Sequence, residues 1–133
     1  MHKSLSKYRG KETIIIADDD ESLLKMLSSF FNGYGYNVIT ASNGQEAVDK
    51  FIRHRDVKLV ILDFLMPKKD GVVPCKEITN INPDIPILLA SGYLADSQDY
   101  STKCQIFQRP FKPIDLIKKA RATLDTHVNN YQH

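Results

Sequence analysis

Asp18, Asp19 and Asp20 stand in a row, and Asp63, Ser91 and Arg109 stand singly further along the chain. Carboxylates gathered at one point repel each other. A hard divalent cation relieves that repulsion, and Mg2+ takes a few carboxylates together with waters and phosphate oxygens. An aspartate beside such an ion can attack phosphorus. A serine hydroxyl can donate to one phosphoryl oxygen while a cationic side chain pairs with another. Together these are the parts of a phosphoryl-transfer site that works by charge stabilisation. Each residue alone has an ordinary explanation: an aspartate after a strand caps a helix, a serine sits in a turn, an arginine is a surface charge. The chemical reading therefore depends on whether the chain brings them together.

The pattern around them says that it does. Thr13-Ile14-Ile15-Ile16-Ala17, Tyr36 to Thr40, Lys58 to Leu62, Ile85 to Ala90 and Gln105-Ile106-Phe107 are short apolar, β-branched runs. Such runs predict strands covered on both faces, as in a parallel sheet. Between them lie helical stripes. Leu23, Leu24, Leu27, Phe30 and Phe31 share one face, and Asn32-Gly33 supplies a stop. Asn43 and Glu46 have capping-box spacing ahead of an inner face of Ala47, Val48, Phe51 and Ile52. Val72 to Ile81 predicts a third helix with Pro74 in its first turn, ended by Asn82-Pro83-Asp84. Pro113 opens a last one with Leu116, Ile117, Ala120 and Leu124 inward. The alternation predicts a five-stranded parallel, doubly wound α/β sheet, one domain over residues 13–125. A basic leader precedes it over 1–12, and a polar, flexible tail follows over 126–133. In such sheets ligands bind beyond the carboxyl ends of the strands. Asp18, Asp63, Ser91 and Arg109 all follow predicted strands, so four distant segments converge on one edge.

Bulk properties narrow the alternatives. At 133 residues the chain suits a single domain, and 42% apolar with 26% charged residues is ordinary for a globular one. The net charge is +2, yet Lys3, Lys7, Arg9 and Lys11 all precede the first strand; without them acidic residues outnumber basic ones. A basic groove for nucleic acid is not indicated, and the leader reads as a solvated tail or linker. No apolar run reaches the roughly 20 residues that cross a bilayer, and no signal-peptide core follows Met1. Cys75 and Cys104 are the only cysteines; they read as small packing residues in a reducing cytoplasm, neither zinc ligands nor a disulfide framework. The four histidines fall on tails or exposed helix positions, and Lys68-Lys69 mark a solvated loop.

At this point the chain resembles a response regulator receiver domain of the CheY-like type, over about Thr13 to Leu124. The matching segments are Ile14-Ile15-Ile16-Ala17-Asp18-Asp19-Asp20-Glu21, Leu59-Val60-Ile61-Leu62-Asp63-Phe64-Leu65-Met66-Pro67, Asp70-Gly71, Ala90-Ser91-Gly92-Tyr93 and Arg109-Pro110-Phe111. The resemblance implies strand order 2-1-3-4-5 and a two-component phosphorelay. Asp63 would accept a phosphoryl group from a histidine kinase or His-phosphotransfer protein. Asp18 and Asp19, with Asp63 and the backbone carbonyl of Leu65, would hold Mg2+ or Mn2+. Ser91 and Arg109 would follow the phosphoryl group, and Asp20 would be an exposed bystander. The role is that of a switch that catalyses its own phosphorylation and its slow autodephosphorylation, since Leu65 and Tyr93 orient an attacking water poorly. A homodimer is compatible with it.

Two positions depart from the family. Arg109 stands where a lysine is usual, and a planar fork is not a point charge. Ile106 stands where an aromatic residue usually couples to the hydroxyl. The polar stretch between Ser91 and Arg109 predicts a shortened, irregular helix. Two other readings compete. Asp18-Asp19-Asp20 fits the Asp-x-Asp opening of a haloacid dehalogenase-type phosphatase, which would use Asp18 and Asp20 but leave Asp63 to Pro67 unexplained. A degenerate receiver would serve only as a binding module. The chain reads equally as a stand-alone regulator or as the receiver of a hybrid histidine kinase.

Overall fold

The computed structural model of the chain describes residues 3–63, 72–91, 104–108 and 111–131. A 3-10 helix (Lys3–Tyr8) leads into β1 (Thr13–Ala17), α1 (Glu21–Gly33), β2 (Asn37–Ala41), α2 (Gly44–Arg53) and β3 (Val57–Asp63). Then come α3 (Val72–Ile81), β4 (Ile87–Ser91), β5 (Cys104–Gln108) and α4 (Pro113–Tyr131). The strands are parallel and stand in the order β2-β1-β3-β4-β5. The segment between β4 and β5, where a stunted helix is predicted, lies outside the described residues.

Period-two alternation sorts the strand residues into two cores. Ile15 and Ala17 of β1, Val60 and Leu62 of β3, and Ile87 and Leu89 of β4 pack with α2 and α3. Ile14 and Ile16, Leu59 and Ile61, and Leu88 face the other way, against Leu24, Leu27 and Phe31 of α1 and Leu116, Ile117, Ala120 and Leu124 of α4. Continuous apolar runs were the sequence signature of this two-sided burial, and all of these side chains are buried.

Local signals fix the helix ends. Asn43 caps α2 by accepting from the Glu46 backbone N–H at 2.8 Å. The returning half of the box reaches one residue further than the usual pattern: the Glu46 carboxylate accepts from the Ser42 backbone N–H and hydroxyl, at 3.2 and 3.1 Å. Asn43→Ala is expected to cost about 1 kcal/mol, read as a lowered urea midpoint at unchanged slope.

α1 ends at Gly33, as the Asn32-Gly33 stop predicts, with Tyr34 as its C-cap, and Gly35 takes the left-handed φ of 102° that redirects the chain into β2. Several other expectations need correction. Ile52 is 55% exposed, because the last turn of α2 rotates it away from the sheet that Phe51 covers. The polar tail read from Thr126 is helical through Tyr131. The leader is folded onto the body: Tyr8 packs against the α1–α4 core, and the Gly10 N–H donates to the Tyr34 carbonyl at 3.1 Å. Cys75 is buried as expected, but it is disulfide-bonded.

Candidate functional site

Strand register places the chemistry. Ala17 of β1 pairs with Leu62 of β3, so Asp18 and Asp63 are each the next residue on adjacent strands. Asp63 in turn pairs with Ala90 of β4, and Ser91 follows. Ser91 pairs with Gln108, the last residue of β5. The sheet order reverses between β1 and β3, and the crevice at such a switch point is where open α/β sheets bind ligands. Asp18 and Asp63 stand at that point.

Asp18, Asp19 and Asp63 each offer a carboxylate oxygen within 4.8 Å of the others. Asp18 and Asp63 are buried, at 3% and 8% exposure, whereas Asp19 is exposed. The backbone holds Asp18 from two sides: its N–H donates to the Ala41 carbonyl at 3.0 Å, and its Oδ1 accepts from the Asp20 N–H at 2.9 Å. Ligands of an octahedral ion with bonds of about 2.1 Å sit roughly 3 Å apart when adjacent and about 4 Å when opposed. A small inward movement of the three oxygens meets that geometry, so the donor set suits a hard divalent cation.

Asp20 is not a bystander. It is the N-cap of α1, its Oδ1 accepting from the Leu23 N–H at 3.2 Å. The three consecutive aspartates thus stand in three settings: one buried carboxylate of the cluster, one exposed carboxylate of the cluster and one helix cap. The signal for the cap was the stripe beginning at Leu23, three residues on. This geometry also disfavours the phosphatase reading, which needs the Asp20 carboxylate for proton transfer while α1 already uses it.

Leu65, Tyr93 and Arg109 lie outside the described residues, and Ser91 and Ile106 are described through their backbones. The structure therefore brings Asp18, Asp19 and Asp63 together and sets the strand end of Ser91 beside them. Phe107, the neighbour of Ile106, does not stand in for the missing aromatic. It packs toward the α1–α4 core and meets Phe111 at a ring separation of 5.2 Å.

Comparison with known proteins agrees with this geometry. The family model of the response regulator receiver domain matches residues 14–121. The Guillardia theta protein named "Probable transcriptional regulator ycf27" is 38% identical over 120 residues, which is 86% of this chain and 46% of that protein. Response regulator RR06 of Streptococcus pneumoniae is 34% identical over 119 residues, covering 84% and 52%. The chain spans about half the length of the curated relatives it matches. Among solved structures, a CheY-like receiver domain protein from Methanospirillum hungatei superposes with a TM-score of 0.82 at 21% identity, over 91% of this chain and 99% of that one. The response regulator TrrA of Thermotoga maritima, crystallised in complex with Mg2+ and BeF, gives 0.76 at 29% identity, over 84% and 98%. The fold is the flavodoxin- and CheY-like α/β type with a parallel sheet. With its acidic edge at the switch point and its sequence matched almost end to end, the chain belongs to the response regulator receiver domain family.

Proposed function

We propose that Asp63 accepts a phosphoryl group from a histidine kinase or His-phosphotransfer protein, assisted by Mg2+ on Asp18, Asp19, Asp63 and the Leu65 carbonyl. The observation that carries this is the triad of carboxylate oxygens within 4.8 Å at the β1–β3 switch point. In the chemistry this implies, the bound cation screens the approach of an anionic phosphoryl donor to a carboxylate. The buried position of Asp63 at the end of a strand flanked by β1 and β4 restricts its direction of attack. Ser91 and Arg109 then draw the phosphoryl oxygens toward β4 and β5. Arg109 grips with a fork, so its salt bridge differs in direction from a lysine's. Crystals of TrrA with Mg2+ and BeF support the cation reading by family likeness.

The signal leaves by an altered route: with isoleucine at 106, the hydroxyl–aromatic relay of the family has no counterpart here. We read the domain as running over 13–125 and as cytoplasmic. Among the described residues no helix is long and apolar enough to cross a membrane. The test of function is phosphorylation by acetyl phosphate in Mg2+ and its loss in Asp63→Ala.

Leu65 stands two residues past Asp63 and Tyr93 two past Ser91, and an aliphatic and an aromatic side chain there orient an attacking water poorly, so the aspartyl phosphate is expected to be long-lived. Replacing both with polar residues should shorten its half-life about tenfold, below the roughly 10²–10⁴-fold of a fully positioned general base. A half-life unchanged in the double variant contradicts the assignment.

A further inference from the structure

The leader, basic and polar in sequence, is bound to the body by a network centred on Arg121 of α4. The Arg121 Nη1 donates to the Arg9 carbonyl at 3.3 Å, to Glu12 Oε1 at 3.0 Å and to the Tyr36 hydroxyl at 3.2 Å. Its Nη2 meets Glu12 Oε2 at 2.7 Å, and Asp125 Oδ1 receives both Nε and Nη2. The Tyr36 hydroxyl donates in turn to the Tyr8 carbonyl at 2.7 Å. One guanidinium thus reads three separate pieces of chain: the leader, the start of β2 and its own helix. Arg121 holds the Glu12 carboxyl below the usual carboxylate range, so the pair stays ionised at neutral pH.

The path of the leader is shaped to match. A Cβ on Gly10 would lie 2.5 Å from Glu12 Oε1 and from the Tyr36 ring, and 2.6 Å from Arg121 Nη1. A Cβ on Gly35 would lie 2.4 Å from the Gly10 carbonyl oxygen. Where the leader crosses the α1–β2 turn, Gly35 is therefore required by the Gly10 backbone lying over it, and a side chain at Gly10 would push into the Glu12, Tyr36 and Arg121 side chains of the network. Beyond the crossing, the Tyr8 ring lies on the α1–α4 core with Lys118 of α4 over it at 5.6 Å. A solvated tail has no use for a glycine crossing, a bidentate ion pair or an aromatic anchor.

We propose that residues Lys3–Lys11 are a strap that pins α4 to the amino-terminal edge of the sheet, with Arg121 as its catch. α4 is held from inside by Leu116, Ile117, Ala120 and Leu124 in the core shared with β1 and β3. The strap adds a second hold on its outer side at Arg121, remote from the acidic edge. Opening the catch therefore frees the leader and loosens α4 locally, leaving the α2–α3 face unaffected.

Trypsin reads the strap directly, because Lys7, Arg9 and Lys11 are cleavage sites and proteolysis follows local opening. In the native chain these bonds should be cut about tenfold more slowly than in Arg121→Gln. Hydrogen exchange of α4 amides should rise in that variant while β3 and α2 amides keep their rates. Glu12→Gln breaks the same pair from the other side and should reproduce both effects, which covers the case in which Arg121→Gln fails to fold. Arg53→Gln, on an exposed turn of α2, should change neither. Equal cleavage in the native chain and the Glu12 variant overturns the strap. So does exchange that rises uniformly across the chain, since that reports general destabilisation.

Discussion

Asp18→Asn should weaken Mg2+ binding on the order of 100-fold while leaving the metal-free domain at least as stable as the parent. Affinity for a hard cation follows the number of charged ligands it finds, and 100-fold corresponds to about 2.7 kcal/mol. Asn keeps an oxygen for the Asp20 N–H that Asp18 now satisfies, so the start of α1 is preserved. The change also removes one of two buried carboxylates that repel each other across the β1–β3 crevice. The sign of the stability change therefore depends on the ion. Without Mg2+ the variant gains or holds its urea midpoint. With Mg2+ at ten times its dissociation constant the parent gains about 1.4 kcal/mol by mass action and the variant gains almost none. Calorimetric titration with Mg2+, paired with urea melts in both conditions, measures both halves. A variant that binds Mg2+ as tightly as the parent removes Asp18 from the metal site.

Phe31→Ala carries the largest expected effect on folding. The ring is fully buried, meets Tyr36 edge-on at 5.7 Å, and lies in the core shared by α1 and α4. Truncating a buried phenylalanine costs about 3–5 kcal/mol through lost transfer energy and the cavity it leaves. Against a domain stability of about 5–15 kcal/mol, that removes between about a fifth and all of it, and at the low end unfolded chains are populated at ambient temperature. The same cavity undermines Tyr36, whose hydroxyl joins the strap network, so the leader should become protease-sensitive as well. Urea denaturation followed by far-UV circular dichroism gives the energy. A loss below about 1 kcal/mol would show that the site collapses around the gap.

What the sequence made legible was whatever a local pattern specifies. Five β-branched runs and four stripes gave the alternation of elements. Because edge residues directly follow the strands, the meeting of Asp18 and Asp63 beside the strand end of Ser91 was legible without knowledge of the fold. Asp20 was misread because three adjacent aspartates look alike until a helix claims one of them. Ile52 was misplaced because a stripe drawn at ideal period does not say where a helix end overhangs the sheet. The strap was invisible for a different reason. Arg121 and Glu12 lie 109 residues apart in sequence, and neither Gly10 nor Tyr8 belongs to any periodic segment. The disulfide state of Cys75 had no local signature either, and reasoning from compartment pointed away from it. Arg109 and Ile106 were recognised as departures by family likeness alone, since neither charge nor hydropathy marks them as unusual.

The receiver reading stands or falls on the acceptor. Intact-mass spectrometry after incubation with acetyl phosphate and Mg2+ should show one phosphoryl adduct on the parent chain. The adduct should be absent when Mg2+ is chelated and absent in Asp63→Ala. An adduct that persists in Asp63→Ala, or a parent chain that acquires none, would contradict the assignment of Asp63 as the phosphoacceptor.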